Sequence, residues 1–465
     1  MERPNAWKNY NDADKKAVFQ FAEAYREFLS KCKTERECVT ELKKKAMDAG
    51  FIDMKEIIEK GTKLKAGDRV FADNHGKNLA LYIIGTDDLE CGMNILGAHI
   101  DSPRLDLKQN PLYEDTEMAL LDTHYYGGIK KYQWVTVPLA IHGVVAKKDG
   151  TQIHVSIGEA PSDPVFGVSD LLIHLSADLM NKKASEVVEG EALDVLVGNM
   201  PLLTNDEDDK KTKDAVKANI LLILKEQYDF DEEDFLSAEL EVVPAGPARD
   251  YGFDRSMIMG YGHDDRSCAY PSFAAMLEID TPKKTAVCLL VDKEEIGSVG
   301  PTGMRSRFFE NMTAEVMHAC GNYSELRLRR ALQNSKVLSS DVSAAFDPNY
   351  PSVTEKKNAA YFGHGIVFNK YTGARGKSGS NDANAEYVAE VRKIMDDNGV
   401  FFQTAELGKV DVGGGGTIAY ILGNYNMQVI DCGVAVLNMH APWEIISKAD
   451  LYEAKKGYIA FLNHA

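Results

Sequence analysis

The texture of this chain changes twice, and any fold it adopts has to accommodate both changes. From Tyr251 onward, short apolar runs alternate with amphipathic stretches. The pattern predicts helix over Ala269–Glu278, buried strand over Thr285–Val291, helix over Glu325–Asn334 and strand over Lys336–Ser339. It continues with strand over Gly365–Phe368, helix over Asn384–Asn398, a helix opened by Gly413–Gly416 and running through Leu422, and a closing strand over Met427–Asp431. The N-terminal part fits the same scheme: Val18, Phe21, Ala22, Tyr25, Phe28 and Leu29 recur at helical spacing, and helices extend to about residue 60. Leu79–Ile84 and Asn94–Ile100 read as strands. Between these parts lie alternating runs such as Trp134-Val-Thr-Val-Pro-Leu, Ile141-His-Gly-Val-Val and Thr151-Gln-Ile-His-Val-Ser-Ile, which are hairpin material. The fold class is therefore α/β: a mixed, mainly parallel sheet flanked by helices, built from residues 1–104 and 250–465. A β-rich domain spanning residues 105–249 is inserted into it.

Composition narrows the partners. The 465 residues carry 53 Lys+Arg against 71 Asp+Glu, a formal charge of −18. Nucleic acid and anionic membrane surfaces are disfavoured, because both are bound chiefly through Lys and Arg. The acidic segments Asn205–Asp214 and Asp229–Asp234 read as solvated loops. Seven scattered cysteines with no CxxC pair suggest reduced thiols and a cytoplasmic protein. The polar, acidic start of the chain has no apolar stretch resembling a signal peptide, and no apolar run approaches bilayer length.

Chemistry gathers where apolar runs end. Asn94-Ile-Leu-Gly-Ala-His99-Ile-Asp101 ends one run, Val287-Cys-Leu-Leu-Val-Asp-Lys-Glu294-Glu295 a second, Val337-Leu-Ser-Ser-Asp341 a third and Ala435-Val-Leu-Asn-Met-His440 a fourth. Gly260-Tyr-Gly-His-Asp264-Asp265 precedes a helix. In open α/β sheets, sites form at the carboxyl ends of strands. A histidine near a strand end is usually a hydrogen-bonded structural residue, and paired acids usually a solvated helix start. Two histidines and several carboxylates delivered to one sheet end are different. Burying that much like charge is costly without a cation.

Imidazole and carboxylate without thiolate suit zinc foremost, with Co²⁺ and Mn²⁺ as alternatives. Five or six ligands exceed the needs of one tetrahedral zinc, so two divalent ions per subunit, roughly 3.5–4 Å apart, are the simpler expectation. One acid of Glu294-Glu295 would then stay off the metals to take a proton from water.

These motifs resemble the aspartyl aminopeptidase family, metallopeptidases with a co-catalytic metal pair. The matching segments are Ala98-His99-Ile-Asp101-Ser-Pro-Arg-Leu, Gly262-His-Asp264-Asp-Arg, Asp292-Lys-Glu294-Glu295-Ile-Gly-Ser, Ser340-Asp341-Val-Ser with Pro348-Asn-Tyr, Gly416-Thr-Ile and Asn438-Met-His440-Ala-Pro-Trp-Glu444. They stand in family order over almost the whole chain. The resemblance implies an enzyme that releases N-terminal amino acids from peptides. It implies that Asp264 bridges the metals, that His99 and Asp341 complete one site, and that Glu295 and His440 complete the other. Glu294 would be the general base, with Asp101 holding His99. His174 is similar to a family histidine that reaches a neighbouring subunit's active site. The inserted domain would mediate dimerisation within a homo-oligomer, a tetrahedral dodecamer.

Two departures bear on selectivity and on the bridge. Asp264 is followed by Asp265 and Arg266 where acid-preferring members have Asn, so Asp265 competes for the bridging role. The Asn369–Asp382 stretch, where those members grip an acidic side chain, is richer in glycine here. Its Lys370, Arg375 and Lys377 are candidate substrate-binding residues. Gly413–Gly416 reads as close backbone packing, since no phosphate-loop Lys-Ser/Thr follows. Two other readings stand beside the aminopeptidase. One is a di-metal carboxypeptidase or amide deacylase, with Arg305 or Arg307 meeting a free carboxylate. The other is a catalytically silent assembly scaffold.

Overall fold

The computed structural model describes residues 3–203 and 213–465, so residues 205–212 of the acidic segment Asn205–Asp214 lie outside the described residues. The chain divides into two compact units. One comprises residues up to Ser102, Ala248–Met439 and Glu444–Ala465; the other comprises Pro103–Pro247 together with His440–Trp443.

The first unit is organised by a nine-stranded sheet. Its strands run, in spatial order, Ile52–Asp53, Arg69–Asn74, Asn78–Ile83, Thr285–Val291, Met93–His99, Lys336–Ser340, Gln428–Gly433, Ile366–Asn369 and Phe402–Thr404. The central four, from Thr285–Val291 to Gln428–Gly433, are mutually parallel, and antiparallel pairs flank them. Alternation explains how both faces are covered. In Thr285–Val291, Ala286, Cys288 and Leu290 point into one core with Leu96, Leu338 and Ile430. Helices Asp12–Lys31, Glu35–Asp48, His263–Glu278, Ala385–Asp397 and Lys448–His464 close that core. Val287, Leu289 and Val291 point the other way, into a second core with Ile95, Val337 and Val429, covered by Met54–Lys60, Phe308–Ala319, Glu325–Gln333 and Ala419–Gly423. A smaller five-stranded sheet pairs Arg249–Tyr251, Met257–Gly260, Glu444–Ser447, Ala435–Leu437 and Ser343–Ala344.

The second unit is built on a six-stranded antiparallel sheet, in the order Gln152–Ile157, Leu139–Ala146, Ala238–Pro244, Arg104–Asp115, Met118–Tyr126 and Val195–Gly198. It also holds a helix, Ala215–Tyr228, that the hydropathy pattern did not announce. The continuous apolar run Ile220–Leu224 has no 3.6-residue period to mark it as helical. The predicted helix opened by Gly413–Gly416 is also shorter than expected. It spans only Ala419–Gly423, and the glycines precede it as loop. Gly414 is why: a Cβ there would stand 2.6 Å from the Ala374 backbone nitrogen. The Gly415 N–H donates to the Thr372 carbonyl at 3.0 Å, so the segment packs as a loop against its neighbour.

Candidate metal centre

His99 ends the central strand Met93–His99 and is 2% exposed. Its Nδ1 lies 3.0 Å from the Asp101 carbonyl oxygen. A carbonyl can only accept, so Nδ1 carries the proton and Nε2 faces the rest of the site. Nε2 stands 3.2 Å from Asp264 Oδ1 and 3.8 Å from Asp341 Oδ1. A bare imidazole nitrogen aimed at two carboxylates is repulsive; only a proton or a metal ion between them reconciles the three groups. Burial by itself would lower the His99 pKa, but the carboxylates of Asp101, Asp264 and Asp341 outweigh it and hold it well above its usual value.

The remaining acids come from three neighbouring segments. Asp264 and Asp265 stand at the head of His263–Glu278, joined by a cis peptide, and both have non-helical dihedrals. Asp341 follows the parallel neighbour Lys336–Ser340. Glu294 and Glu295 lie in a single 3-10 turn just beyond Thr285–Val291. Asp101, fully buried, ties that turn down: its carboxylate accepts the backbone N–H groups of Glu294 at 3.1 Å and Glu295 at 3.2 Å. Asp265 Oδ2 accepts the His99 N–H at 3.3 Å.

Two groups of side chains close within ligand distance of a common point. His99, Asp265 and Asp341 form one; His99, Asp264 and Glu295 form the other, with ligand atoms all within 4.8 Å of one another. The carboxyls raise each other's pKa. Burial pushes Asp341 up, and burial with the Asp341 charge holds Asp265 well up. Glu294 is pushed to about 8 by burial, against the pull of His99 and with Asp341, Asp101 and Asp264 adding. Such a donor set, histidine plus stacked buried carboxylates, fits a divalent cation and suits little else.

The sequence-predicted residues thus fall into two groups. His99, Asp101, Asp264, Glu294, Glu295 and Asp341 converge within the first unit. His440 belongs to the second unit, where its Nδ1 donates to the Gly128 carbonyl at 2.7 Å. His174 also lies there, exposed in the turn Ile173–Leu175. The basic loop differs from the expected cationic grip. Lys370 and Lys377 both pair with Asp382, the latter at 2.9 Å, and Lys377 Nζ sits 3.9 Å over the Tyr371 ring. Arg375 shares a small cleft with Glu406. Arg307 pairs with Glu310 and Arg305 with the Tyr420 hydroxyl, so both candidate carboxylate-binding arginines are engaged locally. Two contributors were not singled out from sequence, because each acts on backbone atoms. Ser102 Oγ donates to the Asp264 carbonyl at 2.7 Å, and Glu444 Oε2 accepts the Asp264 N–H at 3.0 Å.

Comparison with known proteins agrees with this chemistry. The family described as aminopeptidase I zinc metalloprotease (M18) matches residues 28–462. A probable M18 family aminopeptidase 1 of Clostridium acetobutylicum is 65% identical over 100% of this chain and 98% of its own. The crystal structure of aminopeptidase I from that organism superposes with a TM-score of 0.92 at 63% identity, covering 100% of this chain and 99% of that one. The M18 aminopeptidase structure from Thermotoga maritima gives 0.94 at 46% identity, with 100% of both chains covered. The mApe1 dodecamer of Saccharomyces cerevisiae shares the fold at a TM-score of 0.76 and 20% identity, over 96% of each chain. Converging strand ends, a buried donor set suited to zinc and full-length similarity lead to one conclusion: the chain belongs to the M18 family of zinc aminopeptidases.

Proposed function

We propose that this aminopeptidase cleaves the first peptide bond of substrates with a free N-terminus, using Glu294 as the proton carrier. The observation that carries the reading is His99 Nε2 facing Asp264 and Asp341 in a buried pocket of carboxylates. His99 and Asp341 would hold one divalent ion and Glu295 would help hold a second, with Asp264 shared. Asp264 is favoured over Asp265 for the shared position, because its Oδ1 stands 3.2 Å from His99 Nε2 and it groups with Glu295 as well. Two zinc ions there, or Co²⁺ or Mn²⁺ in their place, supply a polarised substrate carbonyl and a more acidic water. Asp101 fixes the His99 ring at Nδ1 and the Glu294-Glu295 turn through two backbone N–H groups. Glu294, held one residue from Glu295 and outside both ligand groups, takes the proton from water and returns it to the leaving amine.

The inserted unit is proposed as the dimerisation element of a cytoplasmic homo-oligomer, a tetrahedral dodecamer. Support comes from the mApe1 assembly, from seven free cysteines, and from Leu172, Ile173 and Leu175, which stand 53%, 67% and 68% exposed around His174. His174 would then reach a neighbouring subunit's substrate. Glu294→Gln tests the mechanism: turnover of an aminoacyl p-nitroanilide should fall about 10³–10⁴-fold with zinc content unchanged. Near-normal turnover in that variant overturns the assignment of the base.

A further inference from the structure

Asp264 is clamped at both ends of its own backbone. Ser102 Oγ donates to its carbonyl at 2.7 Å, and Glu444 accepts its N–H at 3.0 Å. Neither partner faces open solvent: Ser102 and Glu444 are each 1% exposed. A carboxylate so deeply buried is expensive to place, and it is retained in native structures where it meets donors.

The fold delivers Glu444 to this position by strand register. Glu444 opens the strand Glu444–Ser447, which pairs antiparallel with Met257–Gly260, so that Glu444 stands opposite Gly260. The chain then reverses at Gly262, whose φ of +79° is left-handed and whose Cβ would lie 1.9 Å from Arg266 Nη1. Beyond that reversal Asp264 has φ −79° and ψ 107°, outside helical geometry. Its N–H points off the head of the helix, where no helical carbonyl precedes it as an acceptor. Glu444 accepts it in a charge-assisted hydrogen bond.

We infer that Glu444 is a positioning residue for the metal centre, holding the Asp264 backbone so that its carboxylate faces His99 and Glu295. The inference rests on the reading of Asp264 as a metal ligand. Glu444 acts through its hydrogen bond to the peptide that carries the ligand. Outer partners of this kind typically contribute about 10–100-fold in metal affinity.

The test is zinc affinity by chelator competition on the full chain, for wild type, Glu444→Ala, Glu444→Gln, Ser102→Ala and Asp264→Asn, each with its KM and kcat. Glu444→Ala should weaken zinc about 10–100-fold and lower kcat at saturating substrate with little change in KM. Glu444→Gln, which keeps an acceptor oxygen, should return affinity to within about threefold of wild type, a rescue that a merely electrostatic role would not give. Ser102→Ala, which loosens the carbonyl end of the same peptide, should weaken zinc in the same direction; if Glu444→Ala does not fold, Glu444→Gln decides the matter. The inference is overturned if folded Glu444→Ala binds zinc as wild type does while Asp264→Asn loses it, or if folded Glu444→Gln, with its acceptor oxygen kept, weakens zinc by about tenfold or more. If Asp264→Asn itself retains zinc, the ligand reading fails and the role of Glu444 fails with it.

Discussion

The first unit buries acids in two places, and the two are built on opposite principles. On the helix Lys448–His464, Asp450 and Glu453 are fully buried, yet the chain itself supplies hydrogen-bond donors to both. Asp450 accepts the N–H groups of Gly363 and Gly365 at 2.9 and 2.7 Å; Glu453 accepts from the Tyr10 hydroxyl, the Phe401 N–H and Lys456. At the strand ends, Asp264, Asp265 and Asp341 face one another and a single imidazole. Burial is common to both sets. What separates a structural acid from a metal ligand is whether the protein itself supplies donors enough to satisfy the carboxyl group.

The largest effect should come from removing a ligand. Asp341→Asn is expected to lower zinc affinity on the order of 100-fold or more, since even outer partners contribute 10–100-fold. Activity at limiting zinc should fall with it. In the zinc-stripped protein the same change should raise the melting temperature, because one of several like charges is gone. A stripped Asp341→Asn that melts below stripped wild type would erase the contrast with Asp450.

At Asp450 the signs reverse. Asparagine keeps one acceptor oxygen but turns an amide donor toward the second glycine N–H, so Asp450→Asn should melt several degrees lower at mildly acidic pH. Burial raises the Asp450 pKa from 3.8 to about 8, against the two glycine N–H groups. Between those values the native state holds a proton that the unfolded chain has released, so wild-type stability falls as pH rises. The variant lacks that dependence. Its deficit should therefore narrow between pH 4 and 8 and stay constant above, as melting curves across that range would show. A deficit independent of pH would mean that Asp450 is ionised throughout.

The same contrast explains what could be read from the chain. The strand ends were legible because apolar runs long enough to be recognised stop at His99, Glu294 and Asp341, and a strand's end fixes where the next side chain goes. The five-stranded sheet was not, since Ser343–Ala344 and Ala435–Leu437 are too short to show a period. Glu444 lay inside a recognised motif, but its use depends on pairing opposite Gly260, a long-range register that no local pattern encodes. The helix predicted from Gly413 failed for a related reason: close approach to Ala374 decides the backbone there. Lys370, Arg375 and Lys377 were visible as charges, but the neutralisation of the two lysines was not, because Asp382 meets them only once the loop has folded.

That neutralisation sets the smallest prediction. If Asp382 occupies Lys370 and Lys377, removing either lysine should leave the preference among N-terminal residues nearly unchanged, because neither is available to a substrate carboxylate. Asp382→Ala should release both. Exposed pairs are worth little, about 1 kcal/mol or less, so the ratio of kcat/KM for Asp over Leu substrates should rise only about three- to tenfold. The rise should shrink with added salt, since the freed charges are solvent-exposed. A ratio that falls sharply in Lys370→Ala or Lys377→Ala would show the opposite: that substrate displaces Asp382, and that the loop is a cationic grip masked by its own acid.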